Sequence, residues 1–253
     1  MSANGDDLKG FKLLAHRGYA ARFPENTRTA IKAAVDAGAR FVEFDIQLSR
    51  DQVPHLLHDD NFQRTGNSKD QIFALDAAQI AELRVGEPDR FGSAFADMHV
   101  PLLAEIVEDL SSWPDVTAFV EIKRQSIEQF GVESVLDAVL PVLEVVQQQC
   151  VIISFDAELV EVARSRIASP IGWAIRTWNE SSQKIAETLQ PEFLFCNVSK
   201  LPAKTLPLWK GGWTWVIYEI TSPAEARELV ARGVGIIETM AFAEMYTALR
   251  TDT

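Results

Sequence analysis

From Pro101 onward the chain alternates short apolar runs with amphipathic segments, and this alternation limits the fold more than any other feature. Strand-like runs fall at 118–123, 150–155, 171–175, 193–197, 213–217 and 234–237. Helix-like segments fall at 103–110, 127–148 (with a kink expected at Pro141), 157–166, 181–189 and 223–232, with a closing helix from about 242. Two earlier strands, 12–15 and 41–46, flank a helical stretch at 27–37 that ends at Gly38 and has Asn26 as its expected N-cap. A run at 53–57 is also strand-like, but only residues 47–52 separate it from 41–46. A parallel crossover needs about a dozen residues, so this pair is predicted to be an antiparallel hairpin arm. Without the arm there are eight strands, each followed by a helix or an insertion, which predicts an α/β fold of the (β/α)8 TIM-barrel type. A doubly wound sheet competes, but no Gly-rich phosphate loop follows any strand. Residues 62–98 are polar and mixed, contain Gly66, Gly86, Pro88 and Gly92, and hold at most one helix near 76–83. They are expected to form an insertion over one end of the barrel, leaving residues 1–253 as a single domain.

Within the second strand, Phe41 to Ile46 reads FVEFDI. Side chains alternate across a strand, so Glu43 and Asp45 share one face and Val42, Phe44 and Ile46 the other. Two carboxylates two residues apart in an apolar strand repel each other and are costly to desolvate. Either the strand is open and the acids are solvated, or a hard divalent cation with oxygen ligands, Mg²⁺ or Ca²⁺, relieves the repulsion. The apolar neighbours favour the cation. Glu121 and Lys123 repeat the same spacing at the end of the fourth barrel strand. In a barrel the ends of these strands converge, which brings Glu43, Asp45 and Glu121 to one mouth.

Composition narrows the partners. A formal charge of −12 argues against nucleic acid, whose binders carry a basic stripe, but a local cation can still attract a phosphate. The first ten residues are polar and acidic with no apolar leader, and no run is long enough to span a bilayer. Cys150 and Cys196 lack metal or redox spacing and lie in apolar runs, as expected of inert thiols in a reducing cytoplasm.

The motifs occur in a specific order. LLAHRGYAARFPENTRTAI is followed by FVEFDIQLSRDQVPHLLHDD, then VPLLAEI at Val100 and FVEIKR at Phe119. This series resembles the glycerophosphodiester phosphodiesterase family from about residue 13 to 238. The resemblance implies His16 and His58 as catalytic residues, and Glu43, Asp45 and Glu121 as ligands of a divalent cation. Arg17 and Lys123 would neutralise the substrate phosphate. Phe155, after Ser154, and Trp215, at the position of the family's tryptophan, would contact glycerol carbons. The implied reaction is metal-dependent hydrolysis of a small glycerophosphodiester to sn-glycerol 3-phosphate and an alcohol, with His58 leaning to base and His16 to acid. His55 lies three residues from His58, hence on the opposite face, and is expected to be a bystander; His99 carries no motif. Three positions depart from the family pattern: Tyr218 replaces Asn, Glu238-Thr239 replaces Thr-Asp, and Gly66 replaces a second Thr.

Two alternatives stay open. A lysophospholipase D or sphingomyelinase D type enzyme shares the barrel, the histidines and the acids, but its acyl substrates favour an apolar anchor that is not evident here. A non-catalytic phosphate-binding barrel would be expected to have lost a histidine or a ligand, whereas all five are present.

Overall fold

The computed structural model describes Leu8 and residues 10–251; most of the polar N-terminal stretch lies outside the described residues. The strands are β1 Lys12–Ala15, β2 Phe41–Leu48, β3 Pro54–Leu56, β4 Thr117–Ile122, β5 Cys150–Ser154, β6 Ile171–Ile175, β7 Phe193–Asn197, β8 Thr214–Tyr218 and β9 Ile236–Thr239. Eight of them run parallel in the order β1-β9-β8-β7-β6-β5-β4-β2, and β1 pairs with β2 to close a TIM barrel. β3 is the antiparallel arm on β2, with Ile46 opposite Leu56 and Leu48 opposite Pro54.

Strand alternation sorts side chains into two apolar layers. Val42, Phe44, Ile46 and Leu48 of β2 and Ala118, Val120 and Ile122 of β4 point outward, into the layer shared with the helices. Leu14, Phe119, Val151, Ile153, Ala174, Phe195, Val216 and Ile236 fill the barrel interior. Glu43 and Asp45 therefore face inward beside Phe119 and Glu121, their partners in register. The interior is apolar at its floor and charged at the C-terminal ends of the strands.

Several local expectations are corrected. The first helix, Arg28–Asp36, is capped by Thr27, whose Oγ1 accepts from Ala30 N at 3.1 Å. Asn26 has another task, described below. The expected helix over 127–148 is two helices, Arg124–Phe130 and Val132–Leu143, followed by a 3₁₀ segment, Glu144–Gln149. The break is at Gly131, at φ 83°, and not at Pro141, which the second helix carries in its interior. The insertion has its own small core of Phe62, Ile72, Ile80 and Val85 against Leu57 and Val100. Cys150 and Cys196 are free and buried, and burial pushes both thiols up to about 12. Among the described residues no helix is long and apolar enough to cross a membrane.

Candidate active site at the barrel mouth

The loop after β1 sets the site. Gly18 has φ 77° and lies so close to the first helix that a Cβ would come within 2.5 Å of the Ala30 carbonyl carbon, so only glycine fits. Arg17, at φ 53°, turns its main-chain N–H onto Glu43 Oε2 at 2.9 Å. Asn26 holds Asp45 with both ends of its amide: Nδ2 donates to Asp45 Oδ2 at 2.8 Å, and Oδ1 accepts from Asp45 N at 3.0 Å. The PENT segment thus serves the second strand, and that is why Asn26 does not cap the helix.

Charged groups then run in a chain across the mouth. His58 Nδ1 lies 2.6 Å from Asp59 Oδ1, and Arg64 Nε donates to Asp59 Oδ2 at 2.9 Å. Arg64 also donates to both Glu25 oxygens, at 2.7 and 2.6 Å. Arg17 spans Glu25 Oε1 at 2.9 Å and Asp45 Oδ2 at 3.1 Å. Lys123 Nζ completes the chain, 3.1 Å from Asp45 Oδ1 and 2.7 Å from Glu121 Oε1. Gln47 Nε2 donates to the His58 and Asp59 carbonyls, each at 3.3 Å, which seats the histidine's backbone on β2.

Burial and charge split the carboxyls. Burial alone would raise Asp45, but Lys123 and Arg17 outweigh it and hold the carboxyl below the usual range. Glu43 has no such cover: burial, then the charges of Asp45, Glu238 and Glu121, push it well above its ordinary value. Glu238 is pushed the same way by burial and Glu121. Burial opposes the charge on Lys123, yet Asp45 and Glu121 keep its pKa raised. Asp59 is drawn down to about 2, first by its bond to His58. His16 falls well below 6.5, through burial and then Arg17.

The residues fit a divalent cation. Glu43, Asp45 and Glu121 each offer an oxygen within 4.8 Å of the others. Glu43 Oε1 is buried without a hydrogen-bond partner, and Asp45 Oδ1 also has no directed hydrogen bond, although Lys123 is close. Unpaired buried anionic oxygens on converging strands are a donor set for a hard cation.

Of the residues singled out in the sequence, His16, Arg17, Glu43, Asp45, His58, Glu121 and Lys123 are brought together, and Phe155 lies at the rim with its ring centroid 6.0 Å from Lys123 Nζ. Trp215 is not. It packs in the outer layer, stacked on Trp178 at 5.3 Å, while Val216 and Tyr218 face inward. Sequence reasoning missed Glu25, Asn26, Asp59, Arg64 and Tyr218, whose ring centre is 6.3 Å from that of His16. A signal existed for the first two, since PENT is part of the motif series; Asp59 and Arg64 meet only through the turn after the arm.

A family model for the glycerophosphoryl diester phosphodiesterase family matches residues 16–234. The chain belongs to this family. The chain is 33% identical over 124 residues to a Caldanaerobacter subterraneus glycerophosphodiester phosphodiesterase, covering 49% of this chain and 50% of the relative. It is 34% identical over 110 residues to human glycerophosphodiester phosphodiesterase 1, covering 44% of this chain and 33% of the relative. The chain thus spans about half the length, or less, of these curated relatives. Its fold is similar to that of an Oleispira antarctica phosphodiesterase solved in complex with the product sn-glycerol-3-phosphate, with TM-score 0.80 and 21% identity over 94% of this chain and 96% of the other. A Thermotoga maritima glycerophosphodiester phosphodiesterase gives TM-score 0.70 and 22% identity, over 94% and 97%.

Proposed function

We propose that this chain hydrolyses small glycerophosphodiesters to sn-glycerol 3-phosphate and an alcohol. The observation that carries the reading is the juxtaposition of an acidic cation site, two cationic side chains (Arg17 and Lys123) and two histidines at one mouth, in a chain of this family. A phosphodiester anion repels nucleophiles, so its charge must be masked while protons move. A divalent cation held by Glu43, Asp45 and Glu121, of the Mg²⁺ or Ca²⁺ type, would mask charge on the non-bridging oxygens. Arg17 presents a planar fork to the phosphate and Lys123 a point charge.

His58 is the base. The Asp59 carboxylate fixes Nδ1 as the protonated nitrogen, leaves Nε2 to accept a proton, and stabilises the imidazolium that results. The substrate's glycerol 2-hydroxyl gives its proton to His58 and attacks phosphorus; the P–O bond to the alcohol breaks, and His16, protonated as the anionic substrate enters beside it, supplies that oxygen's proton. Water then opens the cyclic phosphate with the roles reversed. Phe155 packs against the glycerol carbons. The chain acts as one catalytic domain on a small-molecule substrate in a cytoplasmic setting, where its two buried thiols stay free.

The test is release of sn-glycerol 3-phosphate from glycerophosphocholine and glycerophosphoethanolamine, with and without chelator. Chelation should abolish release and Mg²⁺ or Ca²⁺ should restore it; full activity after chelation would remove the cation from the scheme. Glu43→Gln should lower activity and metal affinity while keeping the fold, since it removes a charge that its neighbours repel. The compact insertion suits a cover for a small substrate, so kcat/KM should favour glycerophosphocholine over monomeric lysophosphatidylcholine. The opposite preference would move the chain to the lysophospholipase D type.

A further inference from the structure

We propose that His16, Glu43 and Glu238 form a second divalent-cation site, which shares Glu43 with the all-oxygen site and takes a first-row transition ion such as Mn²⁺ or Zn²⁺. Glu43 lies on β2, Glu238 on β9, and His16 directly follows β1, the strand between them; each offers one ligand atom within 4.8 Å of the others. All three are buried, at 6%, 1% and 3% exposure.

Two buried atoms of these side chains lack hydrogen-bond partners: Glu43 Oε1, and His16 Nδ1, which has Glu219 Oε1 at 3.7 Å, while His16 Nε2 lies 3.8 Å from Glu43 Oε2. Glu43 uses its other oxygen for the Arg17 N–H. The neighbouring cationic side chains are committed elsewhere: Arg17 to Asp45 and Glu25, Lys123 to Asp45 and Glu121. Glu43 and Glu238 are thus two carboxyls out of water, with the His16 imidazole beside them. Such a pair either shares a proton or holds a cation.

The donor set decides the class of ion. One imidazole nitrogen with two carboxylates suits borderline first-row ions, whereas three carboxylates suit Mg²⁺ or Ca²⁺. Glu43 is the one residue common to both groups: its Oε1 is open and its Oε2 keeps a second lone pair beside the Arg17 N–H, so each ion can have an oxygen. Occupancy would engage His16, so an ion here and proton transfer by His16 exclude each other. The binding claim stands apart from the catalytic reading and is tested without turnover.

The experiment uses the full chain with excess Mg²⁺ present, titrated with Mn²⁺ and followed by calorimetry and pulsed EPR. Wild type should bind Mn²⁺ with nitrogen modulation from an imidazole, which an all-oxygen site does not give. Glu238→Gln, similar in shape, should weaken this Mn²⁺ by at least about tenfold and leave Mg²⁺ binding in place. The proposal is overturned if bound Mn²⁺ shows no nitrogen coupling, or if Glu238→Gln binds it with unchanged affinity and spectrum. Should Glu238→Gln not fold, the wild-type spectrum alone decides.

Discussion

The two histidines at the mouth sit in opposite surroundings. His16 is buried, its Nε2 3.8 Å from Glu43 and its Nδ1 3.7 Å from Glu219, with no hydrogen bond at Nδ1. The side chain of His58 is 31% exposed and is locked to Asp59, which Arg64 holds in turn. A ring held by a carboxylate keeps one tautomer and one orientation, whereas a ring among loosely placed acids takes its state from what enters the site. The pair is therefore asymmetric before substrate arrives, which two HR or HD dipeptides in a sequence do not reveal.

The largest expected effect tests whether both rings do chemistry. His16→Ala and His58→Ala should each lower turnover by roughly 10²–10⁴-fold, the usual contribution of a positioned acid or base, measured at saturating glycerophosphocholine. If only one of them matters, the acid–base pair is wrong.

A smaller effect isolates the lock on His58. Asp59→Asn keeps the side chain's size but removes the charge, and should reduce kcat by about 10–100-fold, the range typical of partners that orient an imidazole. KM should change little. An unchanged kcat would mean that Asp59 is a structural anchor for Arg64 and nothing more.

The smallest effect on rate concerns a third histidine. His55 lies on the outer side of the arm, in a groove of about 550 Å³ with Arg84, His99 and Glu105, and both its ring nitrogens lack partners. His55→Leu should leave turnover unchanged at neutral pH. Burial lowers its pKa from 6.5 to about 4. The unfolded chain therefore takes up a proton first, so the native state is favoured above pH 6.5 and loses up to about 3 kcal/mol as pH falls to 4, at ~1.4 kcal/mol per unit. Urea unfolding across that window should show a shallower loss in His55→Leu than in wild type, the remainder including the buried His16. Equal slopes would assign the acid sensitivity to other groups.

How much of this was legible in the sequence depended on periodicity. The barrel was readable because strand and helix periods alternate, and Glu43, Asp45 and Glu121 were readable because polar residues at spacing two in apolar strands stand out. Trp215 was misplaced for the reverse reason. In β8 both faces are apolar, Trp215 and Ile217 on one and Val216 and Tyr218 on the other, so period two cannot say which points inward. Asn26 reads as a cap because it offers a side-chain oxygen at the entry to the helix; its amide instead finds Asp45, 19 residues away, and Thr27 caps. The Asp59–Arg64–Glu25 link joins two loops through Arg64 in the short helix Gln63–Gly66, and no local rule pairs Glu25 with Arg64 across a helix and two strands.

That link also governs how the mouth opens. Arg64 grips Glu25, Glu87 Oε1 accepts from Glu25 N at 2.6 Å, Arg90 Nη2 reaches Ala20 O at 2.6 Å, and Phe95 packs edge-on against Phe23. The insertion and the loop after β1 are thus tied together and should open as one unit. Their slow amides should exchange with deuterium at a common free energy, with Arg17 losing its fixed aim each time the unit swings out.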